Sequence, residues 1–414
     1  MPVLRNRGAV LALLILVIGY ATLVGYDWYA RFARYRFEMQ LFHLPERAMS
    51  GIVRAAGVYQ TNQMAIRRGG DLSSLIGIAK AAEPYVELRS AGVRIRDPWG
   101  YFNPEPVGGE GSPCVVVAGD SFMAVGTHAD MLSTVLQERI QGHVYNHALI
   151  GHGPFLSVER FLRDERWLET PPRYLIWGFV EREISGSFFE RFRHSIRTIQ
   201  EKTSRESSSE GDPSAPMMVE SKALIVHWPN FRPERLSDSL PASSYLAQSS
   251  QWAWNRLRYL AFGRIHPDLV PVHIDELGKD LLFYRYHIEN LQLDADARQL
   301  PLVVEAILSL DDLCRSRGMT LLVLLVPEKE QVYRDWLSSV LGRDPNSFPP
   351  SSLNVLTTEL TRQGMGERVI NLLPDFRAAA LEDGLLYWRD DTHWNPQGMA
   401  LAADRLALLI QDCD

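Results

Sequence analysis

The chain has 414 residues, 46% hydrophobic and 22% charged, with a formal net charge of -7. This suits a globular chain of one large or two modest domains, and the acidic balance argues against a nucleic-acid partner. Three cysteines, Cys114, Cys314 and Cys413, are too few and too scattered for a disulfide framework or a zinc cluster, and Cys114 reads as a buried small hydrophobe.

The first element is apolar. Gly8 to Gly25 reads GAVLALLILVIGYATLVG without a charge, behind Arg5 and Arg7. At about 1.5 Å per residue it extends roughly 27 Å, close to the hydrocarbon thickness of a bilayer. Tyr26, Trp28 and Tyr29 follow as an interfacial belt, and no small-x-small cleavage site is evident. Residues 1–30 are therefore expected to be an uncleaved, single-pass membrane anchor. Arg31, Arg34 and Arg36 offset Arg5 and Arg7, so charge alone does not fix its orientation. Residues 31–111 are read as a juxtamembrane stalk and lead-in. Phe32, Tyr35, Met39 and Phe42 recur at helical steps within Trp28 to Gln60, with a break at Pro45; Val86 to Arg96 is strand-like, and Asp97 to Gly111 is a Pro- and Gly-rich loop.

From 112 onward, strands and helices alternate. A strand over Cys114 to Ala118 breaks at Gly119-Asp120-Ser121, and a helix follows to about Ile140. His143 to Asn146 is the next strand, and helical spacing returns from Phe155 to Trp167 after a turn at Gly151-His152-Gly153-Pro154. Tyr174 to Val180 is a continuous apolar run, the pattern of a strand covered on both faces. Leu302 to Arg317 is a helix capped by Gly318, Met319 to Val326 a buried strand, Arg368 to Leu373 a further strand and Pro396 to Ile410 a closing helix with Asn395 as N-cap. The alternation predicts a doubly wound, mainly parallel α/β sheet. An insertion at about 185–296 carries its own aromatic residues (Trp252, Trp254, Tyr259, Phe262, Phe283, Tyr284, Tyr286) and a polar, Ser-rich tip at 202–217 expected to be disordered. It is either a lid over a site or a peripheral elaboration.

The chemistry lies at two distant places. A serine on a Gly-containing turn at a strand end projects its hydroxyl into the crevice at the carboxyl edge of a sheet. His393, in Asp390-Asp391-Thr392-His393-Trp394, is the matching base, and a carboxylate two or three residues before it is placed to orient the imidazole. Ser121, His393 and either Asp391 or Asp390 thus make the parts of a serine acyl-transfer enzyme, which needs no metal or cofactor. His143, His147 and His152 lack an acidic cluster to make a metal site, and Gly108-Gly109-Glu110-Gly111 precedes a strand instead of opening a helix as a phosphate cradle would. A Mg²⁺ site at Asp390 and Asp391 has no P-loop or kinase signature beside it.

These motifs resemble the SGNH (GDSL-type) hydrolase family. Gly119-Asp120-Ser121-Phe122 matches its nucleophile block, and Asn146 with Gly151 five residues on matches the strand-end Asn and oxyanion-hole glycine. The late His with its Asp matches the last block. The third block departs: after Phe179-Val180-Glu181, Arg182 stands at the family's Asn position, where it is either an oxyanion donor or the partner of a nearby carboxylate. Asp391-Thr392-His393-Trp394 is similar to the Asp-Thr-His-Trp signature of the alginate O-acetyltransferase-like subgroup, and Val326-Pro327-Glu328-Lys329 with Tyr333 is similar to another of its segments. In that subgroup the Asp-His pair precedes the serine; here the order is reversed. The resemblance covers roughly 112–410 outside the insertion. It implies an SGNH-type catalytic domain at 112–414 in the periplasm, held at the inner membrane. Its expected substrate is an O-acyl, above all O-acetyl, ester of a cell-envelope or exported polysaccharide, with a possible membrane acyl-donor partner. By this reading Asp391 orients His393, and Gly151 and Arg182 serve the oxyanion or substrate; Trp394 either stacks on sugar rings or packs under the closing helix. The alternative is a non-catalytic envelope assembly or glycan-binding protein on the same fold.

Overall fold

The apolar runs of the sequence become the strands of one parallel sheet. The computed structural model describes residues 15, 17–23, 25, 71–72, 97, 101–103, 113–126, 129–149, 153–164, 166–185, 188–208, 254, 257–263, 265–291, 299–382, 384–411 and 413. The expected stalk helix at 28–60, the strand at 86–96, and Gly151 and His152 lie outside them.

The chain divides into two compact units. The first comprises Met1–Arg54, Leu75–Gly77 and Ser221–Ile265. Of the predicted anchor, 15, 17–23 and 25 are helical, and Ile15, Val17, Ile18, Tyr20 and Leu23 are exposed. No helix among the described residues is long and apolar enough to cross a membrane. The remainder of the predicted span lies outside them. Leu257, Leu260 and Phe262, on a helical stretch of the insertion, are also exposed.

The second unit comprises Ala55–Ser74, Ile78–Glu220 and His266–Asp414. In chain order its elements are β1 (Val115–Gly119), α1 (Ser121–Ala124), α2 (Leu132–Ile140), β2 (Val144–Asn146), α3 (Gly153–Arg163), α4 (Arg166–Glu169), β3 (Tyr174–Val180) and α5 (Phe188–Ser208). There follow β4 (Leu269–Ile274), β5 (Lys279–Tyr284), α6 (Arg285–Asn290), α7 (Leu300–Ser316), β6 (Thr320–Val326), α8 (Lys329–Val332), α9 (Arg334–Leu341), α10 (Ser352–Arg362), β7 (Val369–Asn371), α11 (Leu373–Glu382) and α12 (Pro396–Ala407). The main sheet has the order β2-β1-β3-β6-β7, and every pair is parallel. Residues 115–119 and 174–180 are buried without alternation, as a sheet covered on both faces requires. The helices pack in separate groups, α2 with α12, and α3 and α7 each against α5. The strand order reverses direction between β1 and β3, so the carboxyl ends of these neighbours flank the crevice where such sheets bind ligands. The doubly wound parallel sheet expected from the alternation is therefore present.

Two glycines set the geometry at that edge. Gly119 of β1 and Gly178 of β3 lie side by side, and a Cβ on either would collide with Met123. At Gly119 a Cβ would also meet the Gly178 carbonyl oxygen at 2.4 Å, so a larger residue there would force the two strands apart. The expected single helix after Ser121 is instead two: α1 ends after one turn, and Gly126, at a φ of +108° that only glycine adopts without strain, redirects the chain before α2. The stretch 155–167 likewise splits where the Asp164 carboxylate accepts from the Arg166 N–H and starts α4. The expected disordered tip begins inside α5, which runs to Ser208; 209–217 lie outside the described residues. Within the insertion, the described residues 269–290 form β4, β5 and α6. Its antiparallel hairpin β4–β5 is joined to the His393 segment by Leu282 N–H to Arg389 O (2.8 Å) and Arg389 Nε to Asp280 O (2.9 Å).

The cysteine reading needs correction. Cys114 is not a lone apolar residue: it forms a disulfide with Cys413, 299 residues away, while Cys314 is free and buried. The bond ties the start of β1 to the chain end after α12, beside Gly142, where any side chain would strike Cys413. Spacing in the sequence carries no sign of it, because α12 must first pack on α2. Closing so long a loop stabilises a fold by about 2–4 kcal/mol. Cys114→Ala is therefore expected to lower the thermal midpoint by about 5–10 °C. Dithiothreitol should lower the parent midpoint similarly and leave the variant unmoved; equal midpoints for parent and variant would refute the bond's contribution.

Candidate active site

Ser121 stands where β1 stops. Asp120 caps the turn, its Oδ1 accepting the Phe122 N–H at 2.8 Å, and Val125 N–H closes α1 on the Ser121 carbonyl at 2.8 Å. Asn146, at the end of β2, donates to the Met123 carbonyl (3.0 Å), and its own backbone is paired on both sides by Asn103. The strand-end Asn thus braces the nucleophile turn. Gly151, the expected oxyanion donor, lies outside the described residues.

The second part of the site is a tight loop. A bridge between Tyr387 and Trp394 closes it, Trp388 N–H donates to the His393 carbonyl (3.2 Å), and Asn395 both caps α12 and donates to Leu385 O. Inside the loop lies Lys329, fully buried, whose Nζ donates to the carbonyls of Leu282 (2.8 Å), Trp388 (2.8 Å), Arg389 (3.0 Å) and Asp391 (3.2 Å). Burial lowers the Lys329 pKa to about 8, against the opposing pull of Glu330, Asp390 and Asp391. Tyr333 Oη accepts the Leu386 N–H, and Tyr387 Oη donates to Pro327 O. The Pro327-to-Tyr333 segment, for which the sequence suggested no role, therefore holds the loop that carries the histidine.

Ser121 and His393, 272 residues apart in sequence, meet here with Oγ 2.8 Å from Nε2. On the other side of the ring, Nδ1 lies 2.8 Å from Asp391 Oδ1, which also accepts the His393 backbone N–H at 3.1 Å. Asp391 fixes Nδ1 as the protonated nitrogen and leaves Nε2 to accept the serine hydroxyl. Burial pulls the His393 pKa down, but the hydrogen bond and charge of Asp391, with the charge of Asp71, leave it raised above the usual value. Asp390 is also buried but does not reach the ring; its carbonyl accepts from Leu72 N–H.

The contacts of Trp394 and Arg182 match one of the two readings that the sequence left open for each. Trp394 is fully buried, donates from Nε1 to the Phe122 carbonyl (2.9 Å) and lies against the Phe122 and Phe376 rings. It supports the nucleophile turn from below and offers no face to a sugar, because the same bridge that closes the loop turns it inward. Arg182, just past β3, donates from Nη1 to both Glu328 oxygens (3.0 Å each) and lies over the Phe122 ring at 5.4 Å. Burial opposes its charge, but Glu328 and Asp120 raise its pKa above the ordinary value. Beyond it, His287 lies 3.8 Å from Glu328 and 3.6 Å from Glu330.

Two groups among the described residues have metal-ligating side chains within reach of one another: Asp71 with Asp391 and His393, and His287 with Glu328 and Glu330. Neither includes His143 or His147. Burial holds His147 neutral, with a pKa lowered to about 4, and it stacks on Tyr101 at 4.1 Å. Sequence reasoning missed Asp71. It touches the site only because the chain returns to it from 320 residues away, and no motif surrounds it.

The chain is 33% identical over 88 residues to a probable alginate O-acetylase AlgJ of Pseudomonas syringae pv. tomato, covering 19% of this chain and 22% of that protein. It is 26% identical over 162 residues to a probable alginate O-acetylase AlgJ of Pseudomonas fluorescens, covering 38% of this chain and 37% of that one. The chain thus matches well under half the length of either relative. No solved structure gives a significant match. A family model described as an SGNH hydrolase-like domain, acetyltransferase AlgX, matches residues 48–181 and 277–413, well over half of the chain, and the chain belongs to that family.

Proposed function

We propose that this protein is a serine O-acyltransferase that moves an acetyl group onto an exported polysaccharide, with water as a competing acceptor. The observation that carries the reading is the hydrogen-bonded relay Ser121–His393–Asp391 at the crevice between β1 and β3. Ser121 Oγ attacks the acetyl carbonyl carbon while its proton passes to His393 Nε2. The oxyanion is held by the backbone N–H groups of Ser121 and Gly151, with the Arg182 guanidinium adding positive charge at the same edge. The carbonyl re-forms as the bond to the leaving oxygen breaks, and that oxygen takes the proton from His393. In the second half, a sugar hydroxyl gives its proton to His393 as it attacks the acetyl-serine carbonyl; the acyl–Oγ bond then breaks, Ser121 Oγ takes the proton back from His393, and the acetylated sugar leaves. Asp391 holds the ring throughout and offsets the imidazolium charge.

The Cys114–Cys413 disulfide supports an oxidising, extracytoplasmic setting, where exported glycans are met. The exposed apolar residues Ile15, Val17, Ile18 and Leu23 support a membrane anchor. A membrane partner then supplies the activated acetyl group. The test is incubation of the full chain with a chromogenic acetyl ester, with and without oligosaccharide. Chromophore release with acetylated sugar visible by mass spectrometry is the expected result. Release unaffected by any acceptor would make the protein an esterase, and no release would favour a glycan-binding role.

A further inference from the structure

Beyond the Ser-His-Asp relay, a second carboxyl group reaches the histidine from the far N-terminal side of the chain. Asp71 Oδ1 accepts the Thr392 backbone N–H at 2.8 Å, and Asp71 Oδ2 accepts the Thr392 hydroxyl. Leu72, buried beside it, donates its N–H to the Asp390 carbonyl at 3.1 Å. These bonds fix residues 71–72 against 390–392, and they bring Asp71 Oδ2 to 3.7 Å from His393 Nδ1, on the side already held by Asp391. Thr392, between the two triad members, has no hydroxyl bond to either; its side chain is given to Asp71. We propose that Asp71 is a positioning residue for the acyl transfer proposed above: it clamps the Thr392 turn and sets the charge felt by the His393 imidazole.

The electrostatic surroundings agree with the geometry. The charges acting on His393 are Asp391 from its own loop, Asp71 from the helical residues 71–72, Asp120 from the turn after β1 and Arg182 from the end of β3, with Lys329 of α8 bonded to the Asp391 carbonyl. The Asp71 pKa is pushed up to about 6 by burial and by the Asp391 charge, partly offset by His393. With its Oδ2 3.7 Å from Nδ1, Asp71 titrates together with His393, so a proton taken up there belongs to the cluster and not to one residue. Once ionised, Asp71 favours the imidazolium, which forms when Ser121 gives up its proton. An anion this close shifts a partner's pKa by about one unit or more.

The test is Asp71→Asn in the full chain, which keeps an acceptor for Thr392 and removes the charge. NMR titration of the His393 ring, made on the Ser121→Ala background so that it does not depend on turnover, should show a pKa about one unit below the parent's. In the active background, the acid limb of kcat/KM should move to lower pH by a similar amount, and the plateau should fall about tenfold as the imidazolium loses a counter-charge. An unchanged His393 pKa would overturn the proposal, whatever the activity. A lower plateau with an unmoved ring titration would do the same, by reducing Asp71 to a scaffold. If Asp71→Asn fails to fold, Thr392→Val releases the same carboxyl, and its ring titration should move in the same direction. A lowered ring pKa in a protein that turns over no ester would support the Asp71 contact and sink the acyltransfer reading instead, so the two failures are distinguishable.

Discussion

Replacing Ser121 with alanine is expected to abolish ester turnover, with a loss on the order of 10⁴–10⁶ in kcat. The hydroxyl is the group that forms the acyl bond in the proposed mechanism, and it lies 2.8 Å from His393 Nε2. A serine-directed fluorophosphonate should label the parent at Ser121, identified by peptide mass spectrometry, and leave Ser121→Ala unlabelled. The fold should be unaffected, because the turn is held by the Asp120 cap, by Asn146 and by Trp394, none of which uses the Ser121 hydroxyl. Labelling at another serine, together with an active Ser121→Ala enzyme, would remove the mechanism altogether.

The second large effect separates the two adjacent carboxylates. Asp391→Asn is expected to cost about 10⁴ in kcat, the magnitude known for the same change in serine-protease triads, where the imidazole is left in the wrong tautomer. Asp391 Oδ1 accepts from both the ring and the backbone of His393; an amide nitrogen turned to that position would force Nδ1 to become an acceptor. Asp390→Asn should show the opposite balance. Its carboxylate is buried without touching the ring and contributes to the charge around Lys329, so thermal stability should fall more than turnover. Comparing kcat and melting midpoint for both variants decides the matter. A larger kcat loss in Asp390→Asn would mean that the loop rearranges when substrate binds.

What the sequence determined by itself was whatever local pattern encodes. The unbroken apolar runs at 115–119, 174–180 and 320–326 admit one solution, strands covered on both faces, and their alternation with helices imposes parallel pairing. Gly119-Asp120-Ser121 placed the Ser121 hydroxyl at the sheet edge because a strand-end turn has little conformational choice. Spacing left Asp390 and Asp391 both open as the orienting acid, and only the folded loop puts Asp391 against His393 Nδ1. Tertiary structure decided the groups that become neighbours only after the chain folds back. The Cys114–Cys413 bond depends on α12 packing on α2, and the clamp of Lys329 on four carbonyls depends on β5 meeting the histidine loop. The sequence left Trp394 open between stacking on a sugar and packing under the closing helix, and the fold decided for packing. Side chains on successive residues of an extended segment point to opposite sides, so His393 faces the crevice and Trp394 the core. Asp71 is the extreme case: a carboxylate with no motif around it, brought to the imidazole by contacts that exist only in three dimensions.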